Sequence, residues 1–265
     1  MTSLGSFHIP KVLYTGVSDL QNVHPEILDN WLTLKGLNPT WLHHPFDDEM
    51  QEDFIRTHYG KDVLRTYLSI DPLYGAARSD LFRYLLIFEK GGGWLDSKST
   101  CKFALDSVFR REDKYLLSHW KNLKIGLESK GIWQNSTLPC PEFQNWLIFA
   151  EPRHTFLEET IENVLRNLRK YHPLFSGVGQ RAVVTTTGPF AYTKTIFPLL
   201  KSCENTLISS FEKGFRYSIF EGWTGHHQPQ KSYYISRTNS LIRNSFIKRL
   251  EALLIIIIKK FRNSL

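Results

Sequence analysis

The stretch Ser79–Thr100, SDLFRYLLIFEKGGGWLDSKST, decides how this chain folds. Leu81, Phe82, Leu85, Leu86, Ile87 and Phe88 cover most of a helix circumference, so the spacing predicts a largely buried helix from about Ala76 to Lys90. Gly91, Gly92 and Gly93 stop it, because glycine takes the positive φ of a helix end and lets backbone approach another group closely. Trp94 and Leu95 then form a very short strand with Asp96 at its C-terminal end, the edge at which open α/β sheets bind ligands.

The flanking sequence extends this pattern. IPKVLYTG (Ile9–Gly16) reads as a buried first strand, HPEILDNWLTLKGLNP as a helix stopped by Gly36 and Pro39, and TWLHHPF as a second strand. DDEMQEDFIRTHYG starts a helix with acids in its first turn, where they cap free N–H groups, and DVLRTYLSI reads as another. KYLLSHW and WLIFA are strand-like, HTFLEETIENVLRNLRKYH is a long helix, TTTGPF is turn-rich and RYSIF is β-like. Short strands alternating with helices imply an α/β fold, a mostly parallel twisted sheet flanked by helices. No internal repeat or long linker divides the chain.

With 265 residues, 42% of them hydrophobic, the chain can bury a sizeable core, and disorder is excluded as a default. A net charge of +7 favours anionic partners in general: a polyanion, an anionic membrane or a phosphorylated small molecule. Outside the C-terminal tail the basic residues are scattered and no nucleic-acid module is present, so nucleic acid is not an expected partner. Three widely spaced cysteines, without a Cys-x-x-Cys pair, indicate neither a disulfide scaffold nor a zinc knuckle. With no N-terminal signal pattern, the expectation is a cytoplasmic protein.

Asp80 and Arg83 share one side of the predicted helix. One reading is an i,i+3 ion pair that lets an apolar helix tolerate two charges; the other is that both project into a pocket and hydrogen-bond the hydroxyls of a polar ligand.

S-D-x-x-R, followed sixteen positions after Asp80 by the aspartate of G-G-x-W-L-D, stands in order with IPKVLYTG, NWLTLKGLNP, NWLIFAEPRHTFL and TTGPFAYT. Over roughly residues 8–235 this set resembles the DXD-containing sugar-nucleotide transferases of glycosyltransferase family 32 and their relatives. The resemblance implies a GT-A domain over residues 1–238, a UDP- or GDP-sugar donor, a glycan or lipid-linked acceptor as in polysaccharide biosynthesis, and transfer with retention. It places the nucleobase near Tyr14 and Thr15, the donor sugar at Asp80 and Arg83, the close backbone approach at Gly92 and Gly93, the ribose and diphosphate near Asp96, and an active-site edge at Asn145. Asp96, Lys98 and Arg83 are the residues expected to act in catalysis.

Lys98 departs from that pattern, standing where the family has its second, metal-ligating aspartate. A charged ammonium has no lone pair for a metal, yet it can neutralise a phosphate oxygen. When the sugar leaves a diphosphate, the negative charge on the leaving group must be stabilised by a metal or by another cation. Lys98 either weakens or replaces a divalent ion (Mn or Mg), or bends to solvent while Asp96 and a C-terminal ligand hold the metal. A catalytically silent sugar-nucleotide-binding relative is the alternative function.

By resemblance GWTGHHQPQKSYY closes the donor site, with His226 and His227 as metal or phosphate ligands beside Asp96 and with Lys231 and Tyr233 clamping the diphosphate. Residues 239–265 read as a basic amphipathic helix, with Phe246, Leu250, Leu253, Ile257 and Phe261 on one stripe. Its apolar run is far shorter than the roughly 18 residues a bilayer requires, so it docks on the core or lies peripherally on an anionic membrane.

Overall fold

The computed structural model describes residues 7–120, 138, 140–220 and 234–243. Strand β1 (Val12–Gly16) leads to helix α1 (Pro25–Leu37), then β2 (Leu42–Phe46), α2 (Asp48–Ser69), α3 (Gly75–Lys90) and β3 (Gly92–Leu95). After them come β4 (Thr100–Cys101), β5 (Tyr115–Leu117), β6 (Leu147–Ala150), α4 (Thr155–Lys170), α5 (Pro173–Ser176), α6 (Gly179–Thr186), α7 (Pro189–Ile196), β7 (Thr206–Leu207) and β8 (Phe215–Arg216).

Six strands form one sheet in the order β2-β1-β3-β6-β5-β7, and β4 pairs with β8 separately. β1 runs parallel to β2 and β3, and β5 runs parallel to β7; β6 alone is reversed, antiparallel to both β3 and β5. The reversal matters for the site. The C-terminal ends of β1, β3, β5 and β7 meet one edge, and to that same edge β6 presents the segment that precedes it.

Helices cover the sheet as the alternation implies. Leu81, Phe82, Leu85, Leu86 and Ile87 of α3 are fully buried, each contributing about 1.5–3 kcal/mol by removal from water. They pack with Phe156, Leu157 and Val164 of α4 and with Tyr192 and Ile196 of α7 against one sheet face. On the other face Leu13, Leu34, Trp41, Leu95, Trp146, Phe149 and Phe215 form a second core.

Two local expectations change, while the acidic helix start and DVLRTYLSI are, as expected, two helical segments: α2 is broken by a kink at Gly60, where φ is 74°, and Asp47 caps its start, accepting a bond from Met50 N at 2.9 Å. The Thr/Gly/Pro-rich run expected as a turn joins two short helices, α6 and α7, whose inner faces enter the core. RYSIF contributes only Arg216 to a strand.

Of the expected C-terminal helix, residues 244–265 lie outside the described residues. Residues 239–243 are docked on the helices. Ile242 bridges Ile70, Leu241 O accepts from Asp71 N at 2.8 Å, and Tyr74 Oη donates to Asn239 O at 2.6 Å. Among the described residues no helix is long and apolar enough to cross a membrane. All three cysteines are free.

Candidate active site

α3 ends at Gly91 with φ 65°, Gly92 follows at φ 92°, and the chain turns directly into β3. The close approaches that require glycine here are structural. A methyl on Gly92 would sit 2.7 Å from Val12 O, and one on Gly93 would sit 2.1 Å from Phe149 Cε1. Tight pairing of β3 with β1 and β6 thereby fixes the position of Asp96, whose N–H donates to Trp146 O at 3.0 Å.

Asp96 is held from two further directions. Trp94 Nε1 donates to its Oδ1 at 2.9 Å, and Arg83 Nη2 lies 3.1 Å from the same oxygen. Its side chain keeps 28% exposure, so the carboxylate faces out from a buried anchorage. Trp94 does more than fill a strand: its ring also lies 5.5 Å from the Arg83 guanidinium, on which it acts as a cation–π partner.

The structure shows the ion pair of the first reading for Asp80 and Arg83. Both are buried and form an ion pair at 3.3 Å. Asp80 Oδ1 accepts from Asn145 Nδ2 at 2.9 Å and its Oδ2 from Thr187 Oγ1 at 2.9 Å. Arg83 donates to Asn145 O at 2.5 Å, to Ser79 O at 3.2 Å and to Ser79 Oγ at 3.2 Å. Burial pushes the Asp80 carboxyl up to about 6 against the pull of Arg83. The pair is thus a saturated internal truss that aims Asp96. Asn145, held as well by Tyr84 Oη at 2.8 Å, belongs to the same truss.

Lys98 does not bend to solvent. It is 7% exposed, and burial pulls its ammonium down to about 8 while Asp96 pulls the other way. The turn that carries it is braced on both sides. Ser99 N donates to Asp96 O at 2.7 Å, Asn30 Nδ2 to Ser99 O at 2.9 Å and Trp31 Nε1 to Ser97 O at 3.3 Å. The segment after β8 covers it, with Ile219 N donating to Lys98 O at 2.8 Å and Ser99 Oγ to Tyr217 O at 2.9 Å.

At the end of β1, Tyr14 packs its ring against His44 and Phe46, and the buried Thr15 Oγ1 has no hydrogen-bond partner among the described residues. His226, His227, Lys231 and Tyr233 lie outside the described residues. No group of three or more His, Cys, Asp or Glu is arranged to hold a metal ion among the described residues. There the donor set is one carboxylate, already shared by a guanidinium and an indole, beside an ammonium. That chemistry does not fit a divalent cation.

Sequence reading missed Thr187, Tyr84 and Trp94 as members of the network. It also missed Glu142 and Gln144, which stand on the strap before β6. The reversed strand brings that strap to the edge, and nothing local in the sequence announces a strand direction.

No family model matches the sequence. Over 215 residues the chain is 23% identical to an initiation-specific alpha-1,6-mannosyltransferase of Candida albicans, an overlap of 74% of this chain and 54% of that protein. Over 155 residues it is 23% identical to inositol phosphoceramide mannosyltransferase 2 of Schizosaccharomyces pombe, an overlap of 58% and 37%. The chain thus spans about half the length, or less, of the curated relatives it matches. In fold it is similar to the UDP-bound glycosyltransferase domain from the YGT toxin, with a TM-score of 0.50 at 9% identity over 88% of this chain and 84% of that one. The chain is thus similar in sequence to mannosyltransferases and shares its overall fold with a glycosyltransferase domain.

Proposed function

We propose that this chain transfers a hexose from a nucleotide-sugar donor to a glycan or lipid-linked acceptor, with retention of anomeric configuration. The observation that carries the proposal is the pairing, at the C-terminal edge of the sheet, of a rigidly aimed Asp96 with a buried Lys98 two residues on. The mannosyltransferase names of the sequence relatives favour mannose as the sugar, and the UDP-bound fold neighbour supports a nucleoside diphosphate at this edge.

As the glycosidic C–O bond breaks, negative charge grows on the leaving diphosphate. A cation fixed in a partly desolvated site stabilises that charge more than one in water. Lys98 is such a cation. Asp96 orients the ribose and diphosphate, and Arg83 holds Asp96. A lysine that stands in for the metal makes turnover independent of divalent ions.

The test is release of nucleoside diphosphate by purified protein from GDP-mannose and a panel of UDP-sugars, with a saccharide acceptor, in EDTA and in manganese. Turnover should persist in EDTA, and Lys98→Met should lower it by about 10²–10³-fold, the usual cost of removing one charge-stabilising donor. Loss of turnover in EDTA with recovery in manganese would refute the metal-free reading. Nucleotide-sugar binding with no turnover on any acceptor would favour the silent relative.

A further inference from the structure

Beside the Asp96–Lys98 turn lies a second cluster that the donor reading does not use. Three aromatic rings meet there: Trp120 and Tyr217 at 5.1 Å and 82°, Trp146 and Tyr217 at 5.5 Å and 57°, and Trp120 and Trp146 at 6.5 Å. Trp146 and Tyr217 are tied by their backbones to Asp96 and Ser99, so the rings flank the turn directly.

The strap before β6 runs past these rings. Its course is fixed by Gln144 N donating to Ser118 O at 2.7 Å, Trp120 N to Glu142 O at 3.2 Å, and a bridge between His119 and Phe143. Phe143 packs into the α3 side of the sheet and Asn145 reaches Asp80. Alternation along an extended strap then turns Glu142 and Gln144 the other way, toward the side of Trp146 and its ring partners.

These side chains carry polar atoms that are buried and unbonded. Glu142 Oε1, both amide atoms of Gln144, and Trp120 and Trp146 Nε1 have no hydrogen-bond partner among the described residues. Glu142, Gln144 and Trp146 are 3%, 2% and 1% exposed. Leaving such groups unmade is costly, so a concentration of them calls for a function. Burial also raises the Glu142 carboxyl to about 7, which lets it accept or donate near neutral pH.

Aromatic faces combined with carboxyl, amide and indole N–H groups match one class of ligand: a pyranose, whose C–H faces stack on rings while its hydroxyls need both donors and acceptors. Sheet order says which pyranose. β1, expected to hold the nucleobase, lies on one side of β3, and β6, β5 and β7 lie on the other. The ring cluster is therefore across Asp96 from the nucleoside end.

We infer that Glu142 and Gln144, with Trp120, Trp146 and Tyr217, form the acceptor subsite and bind a neutral hexose of the acceptor glycan. The inference rests on the donor reading above.

Calorimetric titration of the full chain with mannotetraose, and separately with GDP and UDP, tests it. Gln144→Leu and Trp120→Ala should each weaken mannotetraose binding by about tenfold or more, the worth of a well-made polar or stacking contact, while nucleotide affinity stays within about twofold. Gln144→Leu should also melt no lower than the parent protein, because it removes two unsatisfied buried atoms; a residue with a purely structural role would melt lower when replaced. A parent protein that binds nucleotide but no mannotetraose, or variants that bind mannotetraose unchanged, would overturn the subsite and leave the donor reading standing. Saccharide binding without nucleotide binding would overturn the donor reading instead.

Discussion

Replacing Arg83 separates a truss from a ligand-gripping residue. Its guanidinium reaches Asp80, Asp96, Ser79 and the carbonyl of Asn145, and it is 3% exposed. Arg83→Met keeps much of the side-chain volume but leaves the Asn145 carbonyl unpaired and Asp80 without its cation. Breaking a buried ion pair from one side costs about 3–5 kcal/mol. Asp80, already raised to about 6, would take up a proton once Arg83 is gone, which keeps the loss from exceeding that range. For a domain of this size about 2–4 °C is lost per kcal/mol, so the melting temperature should fall by about 6–20 °C at pH 7.5. Adding Asp80→Asn removes the stranded acid, and the double variant should recover a good part of the loss, giving a coupling energy above about 1 kcal/mol in a double-mutant cycle by urea denaturation. A melting temperature within about 2 °C of the parent, with nucleotide binding abolished, would refute the truss and return Arg83 to the ligand.

Glu142 makes stability depend on pH. Its folded carboxyl titrates at about 7 instead of its ordinary 4.5, so between those values the folded chain holds a proton that the unfolded chain has released. Stability therefore falls as pH rises through this window, by about 3 kcal/mol in all. Glu142→Gln should abolish that fall, visible as a melting-temperature advantage that grows from pH 5 to pH 7.5; an advantage constant with pH would refute it. Gly93→Ala places a methyl against Phe149, which is fully buried with no room to yield. Overpacking of that kind costs about 1–3 kcal/mol and should lower the urea midpoint; an unchanged midpoint would mean β3 and β6 pair more loosely than described.

What the sequence disclosed and what it withheld divide along the range of the interactions. The α3–glycine–β3 unit and Asp96 at its end were legible because helix burial, helix arrest and strand ending are written in neighbouring residues. The helix break at Gly60 was legible too, and burial of Leu64 and Tyr67 packs the second segment of α2 on the core. The helices α6 and α7 hid in a Thr/Gly/Pro-rich run because tertiary burial of Ala182, Val183, Tyr192 and Ile196, not local propensity, holds them. Among the site residues, Asp80, Arg83, Asn145 and Lys98 could be listed, but not what they do to one another. That Asp80 spends both oxygens on Asn145 and Thr187, the latter 107 residues away, depends on α7 and β6 converging on α3. The strap with Glu142 and Gln144 depends on the reversal of β6, and no periodicity encodes strand direction.

The charges around the turn explain why one lysine alters the expected chemistry. Asp80 and Asp96 supply two carboxylates, and Arg83 and Lys98 two cations, so the cluster is formally neutral when all four are ionised. A divalent ion is drawn to a site with surplus negative charge and with carboxylate oxygens free to bind it. Here Oδ1 of Asp96 is committed to Trp94 and Arg83, and the neighbouring position carries a positive group. On the proposed donor reading, a nucleoside diphosphate brings its negative charge to a formally neutral cluster that includes a largely buried ammonium. On the proposed reading, the Lys98 ammonium stabilises a phosphate oxygen of the donor beside a carboxylate that Arg83 and Trp94 hold in place.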